Sequence, residues 1–226
     1  MDNTAGPISR RERPAKPALT RAGIVGTALR LMREEGVERV TMRRLAKELD
    51  TGPASLYVYV RDTEELHAAV LDELLAEVDL SPVGSGEPWR DRLDAVLGSY
   101  VSLLFAHPSL ARTAVVTRPS GSNYLALVEA LLQLLGQGGV PADRAAWGVD
   151  LLLQLATSNA AEHGTRRGPD NRKDYDQLSA AIRTATADTY PAIAAAADDL
   201  LAGAPTERSR WRYDVLIAGF LDTPRP

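Results

Sequence analysis

From Leu19 onward, apolar residues recur three and four positions apart, and nowhere do they alternate with polar ones over a length that would predict a strand. Ile24, Val25, Ala28, Leu31 and Met32 form the first helical stripe. Thr20 stands in front of it as an N-cap, Leu19 and Ile24 are spaced as a hydrophobic staple, and Gly36 is placed to stop the helix in left-handed backbone. The same order of signals returns at once. Thr41 caps a second stripe of Met42, Leu45, Ala46 and Leu49, with Val40 and Leu45 as its staple, while Arg43, Arg44 and Lys47 take the other side. Asp50-Thr51-Gly52 predicts a turn. Pro53 suits the first position of a short third helix over residues 54–60, because the first N–H of a helix has no partner to lose. Asp62 and Glu65 have capping-box spacing for a fourth helix, whose inner face carries Leu66, Ala69, Val70, Leu74 and Val78.

The proline- and glycine-rich stretch 81–88, SPVGSGEP, is the best internal boundary. Beyond it, residues 89–106 keep Leu93, Val96, Leu97, Tyr100, Val101 and Leu104 in helical register. His107-Pro108 interrupts, a shorter helix is predicted over 109–117, and another over 123–135 closes at Gly136 and Gly138-Gly139. Residues 141–163 are apolar on nearly every side, the pattern of a helix buried in a core or against a partner. GTRRGPDNRK, residues 164–173, predicts a polar loop, and a last helix carries Trp211, Val215, Leu216, Ile217, Phe220 and Leu221. The predicted fold class is all-α.

Composition narrows the chemistry. With no cysteine, disulfides, zinc-thiolate sites, iron–sulfur clusters and thiol nucleophiles are excluded. The three histidines, His67, His107 and His163, are far apart in sequence, so no metal or other cofactor is expected. No stretch approaches 18 consecutive apolar residues, and no apolar run follows the early arginines, so neither a membrane span nor a secretory signal is expected and a cytoplasmic protein is. The scarcity of lysine beside 23 arginines, together with abundant alanine, points to a bacterial source. The net charge of −4 conceals an asymmetry: residues 10–47 hold eleven basic residues against four acidic ones, a local charge of +7. A basic head on an acidic body suits a nucleic-acid reader, which needs phosphate attraction on one face only, although a solvated helix face can carry the same charges.

Two helices joined by a tight glycine turn and flanked by basic residues suggest a helix-turn-helix. In that arrangement Leu45 and Leu56 pack the two helices together, while the short residues Thr51, Gly52, Pro53, Ala54 and Ser55 let backbone approach DNA closely. Residues 20–66 resemble the DNA-binding domain of the tetracycline-repressor (TetR) family of bacterial transcription regulators. The matching pattern runs from Thr41 through Leu-Ala-Lys-Glu-Leu and Gly52 to Leu56-Tyr57-Val58-Tyr59-Val60 and Leu66. The Trp89-Arg90 start, the His107-Pro108 break and the Asn123-Tyr124 helix give residues 80–221 a looser likeness to the regulatory domain of that family.

The resemblance implies a homodimeric, all-helical repressor of a double-stranded DNA operator, with an effector-binding and dimerising C-terminal domain. Together with the proline- and glycine-bearing, apolar-poor start of the chain and the break at 81–88, it divides the chain into a disordered basic arm (1–18), a helix-turn-helix domain (19–66), a connecting helix (67–80) and a helical regulatory and dimerisation domain (81–226). The DNA-contacting candidates are Thr41, Arg43, Thr51, Gly52, Pro53, Ala54, Ser55, Tyr57, Tyr59 and Arg61. Arg61 enters because Thr63 stands where many members carry a phosphate-binding lysine. Two readings stand for the arm with Arg10, Arg11, Arg13 and Lys16: an extension into an adjacent minor groove, or a solvated tail.

For a small-molecule effector of unknown identity the candidates are the polar or aromatic residues that interrupt apolar helices: His107, Tyr124, Trp147, Asp150, Gln154 and Ser158. Each has a plainer alternative, satisfaction by a neighbouring helix or a place at a dimer interface, and for Trp147 the plainer one leads. The expected dimer interface joins Leu151, Leu152 and Leu155 to Trp211, Val215, Ile217 and Phe220; packing within one subunit is its alternative. A regulator without ligand response is a second possibility for function. An all-α enzyme is the weakest, since no nucleophile elbow, phosphate-binding loop or zinc-binding helix motif is present.

Overall fold

Thr20, Thr41 and Asp62 each sit in extended backbone and turn a side-chain oxygen onto the third amide ahead, that of Gly23, Arg44 and Glu65. These caps start three of the first four helices in the computed structural model, which describes residues 18–117, 119–165 and 169–226. The helices are α1 (Arg21–Glu35), α2 (Met42–Glu48), α3 (Pro53–Leu56) and α4 (Thr63–Leu75), with a 3₁₀ turn at Val37–Arg39. After a second 3₁₀ turn at Ser81–Gly84 come α5 (Trp89–Ala106), α6 (Pro108–Val116), α7 (Ser122–Gln137), α8 (Ala142–Thr165), α9 (Pro169–Thr184), α10 (Pro191–Leu201) and α11 (Pro205–Asp222). No strand occurs among the described residues, in agreement with the all-α expectation. The basic arm falls on residues 1–17, outside the described residues, apart from Ala18.

Two local expectations need correction. The third helix is four residues long, not seven, and residues 57–59 continue as turns. β-branched Val58 and Val60 and the aromatic residues beside them favour helix weakly. Secondly, helix begins again at Pro169, inside the segment expected to be a loop, because proline at the first position costs no hydrogen bond. The turn expected at Asp50-Thr51-Gly52 is present, with Asp50 left-handed (φ 47°) and Gly52 extended at φ −81° as the N-cap of α3. The Asp62–Glu65 pair forms only half of a capping box: Asp62 accepts from the Glu65 amide, but the Glu65 carboxylate accepts from the Arg61 amide (2.8 Å) rather than that of Asp62.

One apolar cluster runs without a break from Ile24 in α1 to Phe220 in α11. Within it α4 packs on α1 on one side and on α5, α6 and α7 on the other, while α8 is the centre of the C-terminal half and touches α5, α6, α7 and α11. Leu45 and Leu56 are both fully buried, as the packing of α2 on α3 requires. No helix among the described residues is long and apolar enough to cross a membrane.

Candidate nucleic-acid interface and cavity

A four-residue helix cannot hold itself together, since nucleation alone costs more than one turn of hydrogen bonds returns. The shape of α3 is imposed by Leu56 and Val60, both buried, with Tyr59 half-buried against the same core. The side chains between these anchors face outward: Tyr57 is 52% and Val58 79% exposed. Pro53, Ala54 and Ser55 are exposed as well, and Thr51 is half-buried. A Cβ added at Gly52 would meet nothing within 4 Å, so neither backbone conformation nor internal packing requires glycine there. What it provides is bare backbone on the outer surface. Thr41 and Arg43, both exposed, lie alongside at the start of α2, where the Thr41 hydroxyl already accepts from the Arg44 amide.

Much of the basic surplus is consumed inside the head. Arg44 clasps Glu35 through two nitrogens (2.5 and 3.3 Å) and Glu48 through a third (2.8 Å); Arg30 pairs with Glu34 (2.9 Å) and the same Glu48 (2.5 Å). The Arg44 guanidinium holds the Glu35 and Glu48 carboxyls below the usual carboxylate range, with Arg30 adding to the effect on Glu48. Arg33 pairs with Glu77, and Arg21 with Glu65. Among the described residues no ion pair holds Arg39, Arg43 or Lys47, and these three are exposed. Arg61 pairs through Nε with Glu65 (3.1 Å), yet its side chain stays 85% exposed. Its backbone N–H is the main reason the Glu65 carboxyl is held low.

In the C-terminal half a cavity of about 230 Å³ opens among five helices. Four expected effector residues line it: Tyr124 from α7 and Asp150, Gln154 and Ser158, one turn apart along α8. His107 and Trp147 are not among the lining residues. His107 lies at the α5–α6 break, where partial burial lowers its pKa, opposed by Glu77 and reinforced by Arg33. Trp147 lies on the surface of α8 with the Arg225 guanidinium 3.9 Å above its ring. Three polar lining residues carry no signal in the sequence: Thr117, just after α6, and the pair Tyr100 of α5 and Thr157 of α8, whose hydroxyls are hydrogen-bonded to each other at 2.7 Å. Tyr100 and Thr157 are buried among apolar neighbours, and their spacing alone resembles core. Gln154 donates to Asp150 (2.6 Å), and Leu71 and Leu75 close the wall on the α4 side.

The residues expected at a dimer interface separate into two groups. Leu152, Ile217 and Phe220 are buried inside the subunit, with the Phe220 ring against Gly148, so their packing is intramolecular. Leu151, Trp211 and Val215 are exposed, and Leu155 is half-buried. They stand on α8 and α11, which pack side by side.

Against known proteins, residues 24–70 match the family described as bacterial regulatory proteins, tetR family, and residues 82–210 match the tetracyclin repressor-like C-terminal domain. An HTH-type transcriptional regulator from Saccharopolyspora erythraea is 34% identical over 180 residues, 79% of this chain and 75% of its own. The crystal structure of a transcription regulator from Streptomyces coelicolor, SCO7704, is 56% identical and superposes with a TM-score of 0.79 over 93% of this chain and 98% of its own. The ActR protein of Streptomyces coelicolor, a TetR family member crystallised in complex with actinorhodin, is 34% identical with a TM-score of 0.76 over 91% of this chain and 96% of its own. With a supported short helix-turn-helix at one end, a helical cavity domain behind it, and family matches to both halves, the chain belongs to the tetR family of DNA-binding bacterial transcription regulators.

Proposed function

We propose that the protein is a cytoplasmic, homodimeric repressor held on a palindromic operator by two copies of α3 and released by a small molecule bound in the 230 Å³ cavity. The observation that carries the DNA half is the outward display of α3: buried Leu56 and Val60 fix it, while Gly52, Ser55 and Tyr57 face away from the molecule. Thr41, Arg43, Thr51, Gly52, Pro53, Ala54, Ser55, Tyr57, Tyr59 and Arg61 are the proposed DNA-contacting set. In that set the hydroxyls and backbone take phosphates, and Arg43 meets DNA without first breaking an ion pair. Two half-sites one helical turn apart, about 34–36 Å, require two recognition helices. The exposed Leu151, Trp211 and Val215, on adjacent helices, are the proposed seam between subunits. Support for the effector comes from the cavity, whose lining mixes polar groups with apolar ones, and from the similar ActR protein, which binds actinorhodin.

The test is iterative selection of duplexes from a random pool by the purified protein at a fixed salt concentration. A palindrome with half-sites about 10 base pairs apart, centre to centre, is expected. Enrichment no greater than with Tyr57→Ala protein overturns the assignment of α3. With the selected duplex as probe, release by a compound that Tyr124→Ala protein no longer answers separates the ligand-controlled repressor from a regulator without ligand response.

A further inference from the structure

The first turn of α7 has no cap of its own. Its N-cap position is Gly121, which offers no side-chain acceptor. The acceptor comes instead from α4, fifty-two residues away. Asp72 Oδ1 accepts the backbone N–H of Tyr124 at 2.9 Å, and Oδ2 lies 3.5 Å from Asn123 Nδ2 as donor. Tyr124 holds the third helical position, the amide that an N-cap side chain ordinarily takes, and a carboxylate there also complements the positive end of the helix. A Cβ at Gly121 would overlap the Asp72 carboxylate, so glycine clears the space that the carboxylate fills.

We infer that Asp72 is the positioning residue through which the cavity sets the orientation of α4; this rests on the cavity being the effector site. Tyr124 is bonded to Asp72 through its amide and lines the cavity. A molecule that displaces Tyr124 therefore pulls on α4 through a charge-assisted bond, in addition to pressing on Leu71 and Leu75. At its other end α4 is fixed to the head: it packs on α1, and His67 Nε2 lies 3.0 Å from the Val40 carbonyl oxygen, just ahead of the Thr41 cap. Movement of the first turn of α7 thus reaches the helix-turn-helix as a rigid-body displacement of α4. Without the carboxylate, the same movement is taken up between Gly121 and α4.

The experiment is a double-mutant cycle on the full-length dimer, with Ala114→Phe, which fills the cavity from α6, as the stand-in for an occupant. Affinity for the selected duplex is measured for the parent, Ala114→Phe, Asp72→Ala and the double variant. Amide exchange at Tyr124 reports whether the clasp is broken. Filling the cavity is expected to weaken DNA binding about tenfold when Asp72 is present, within the usual range of coupling between two sites, and less than about twofold when it is alanine. Tyr124 exchange is expected to accelerate in Asp72→Ala. Equal losses in both backgrounds, or unchanged Tyr124 protection, overturn the role of Asp72 while leaving the cavity reading intact. No loss in either background overturns the cavity reading itself, and the inference with it. Should Asp72→Ala fail to fold, Asp72→Asn carries the cycle. It keeps an oxygen acceptor but loses the charge, so the coupling is expected to fall to about threefold, neutral hydrogen bonds being roughly half as strong. Undiminished coupling in Asp72→Asn overturns the inference.

Discussion

Leu56 ends the four-residue α3 and Tyr57 begins the turn that follows it, and their substitution by alanine separates support of α3 from its use. Leu56 is fully buried, and the helix is too short to survive on its own hydrogen bonds. Leu56→Ala should therefore cost about 2–5 kcal/mol through lost burial and the cavity left behind. In a chain of this size each kcal/mol moves the midpoint by about 2–4 °C, so a fall of about 4–20 °C is expected. Tyr57 is half exposed and supports nothing inside, so Tyr57→Ala should stay within about 0.5 kcal/mol of the parent. Its effect falls on DNA. Removing a side chain that bonds a base or phosphate costs roughly 1–3 kcal/mol per half-site, and a dimer pays twice, which amounts to about a 30- to 10⁴-fold weaker complex. The assays are thermal unfolding at one fixed protomer concentration, since dimer midpoints depend on it, and titration of the selected duplex at fixed salt. Tyr57→Ala protein that binds as tightly as the parent, or that unfolds as early as Leu56→Ala, refutes this division of labour.

Arg43→Ala and Lys47→Ala remove exposed charges that hold no ion pair, so each should lower the slope of log affinity against log salt by about 1 for every phosphate the side chain neutralised, with the thermal midpoint unchanged. Arg44→Ala should do the reverse, lowering the midpoint by breaking the Glu35–Arg44–Glu48 clasp and leaving the salt slope nearly intact. His107 has a pKa below the ordinary histidine value because burial opposes its charge, so the unfolded chain takes up its proton first. Its contribution to stability is complete above about pH 6.5 and is lost as pH falls through the lower folded value; His107→Gln should flatten that part of a denaturation-versus-pH curve. In Gly138→Ala the new Cβ would lie 2.6 Å from the Trp89 ring, so a loss of about 1–3 kcal/mol in urea denaturation is expected.

The caps and stripes are legible in the sequence because their interactions are local. Thr20, Thr41 and Asp62 bond amides three residues ahead, and Leu45 and Leu56 meet across a turn that sequence spacing already implies. The row Asp150, Gln154 and Ser158 is legible for a similar reason, as polar residues one turn apart in an apolar helix. What escapes depends on partners distant in the chain. Asp72 reads as an ordinary polar position on α4 until Gly121 is brought against it. Tyr100 and Thr157 read as core until their hydroxyls meet at the cavity wall. The charge count also misleads in part, because Arg30 and Arg44 are taken up by glutamates of the same head and only the remainder faces outward.

The way α3 is held bears on how a regulator of this kind changes its target over generations. Its backbone is fixed by Leu56 and Val60, which look inward, while Ser55, Tyr57 and Val58 are exposed. Substitutions at the outward positions can therefore alter which duplex is read without first being compensated by a stabilising change elsewhere. Sequence drift should be free at Val58, tolerated at Ser55 wherever the operator drifts with it, and halted at Leu56. A duplicated copy of the gene would thus be able to acquire a new operator in single steps, each passing through a folded protein.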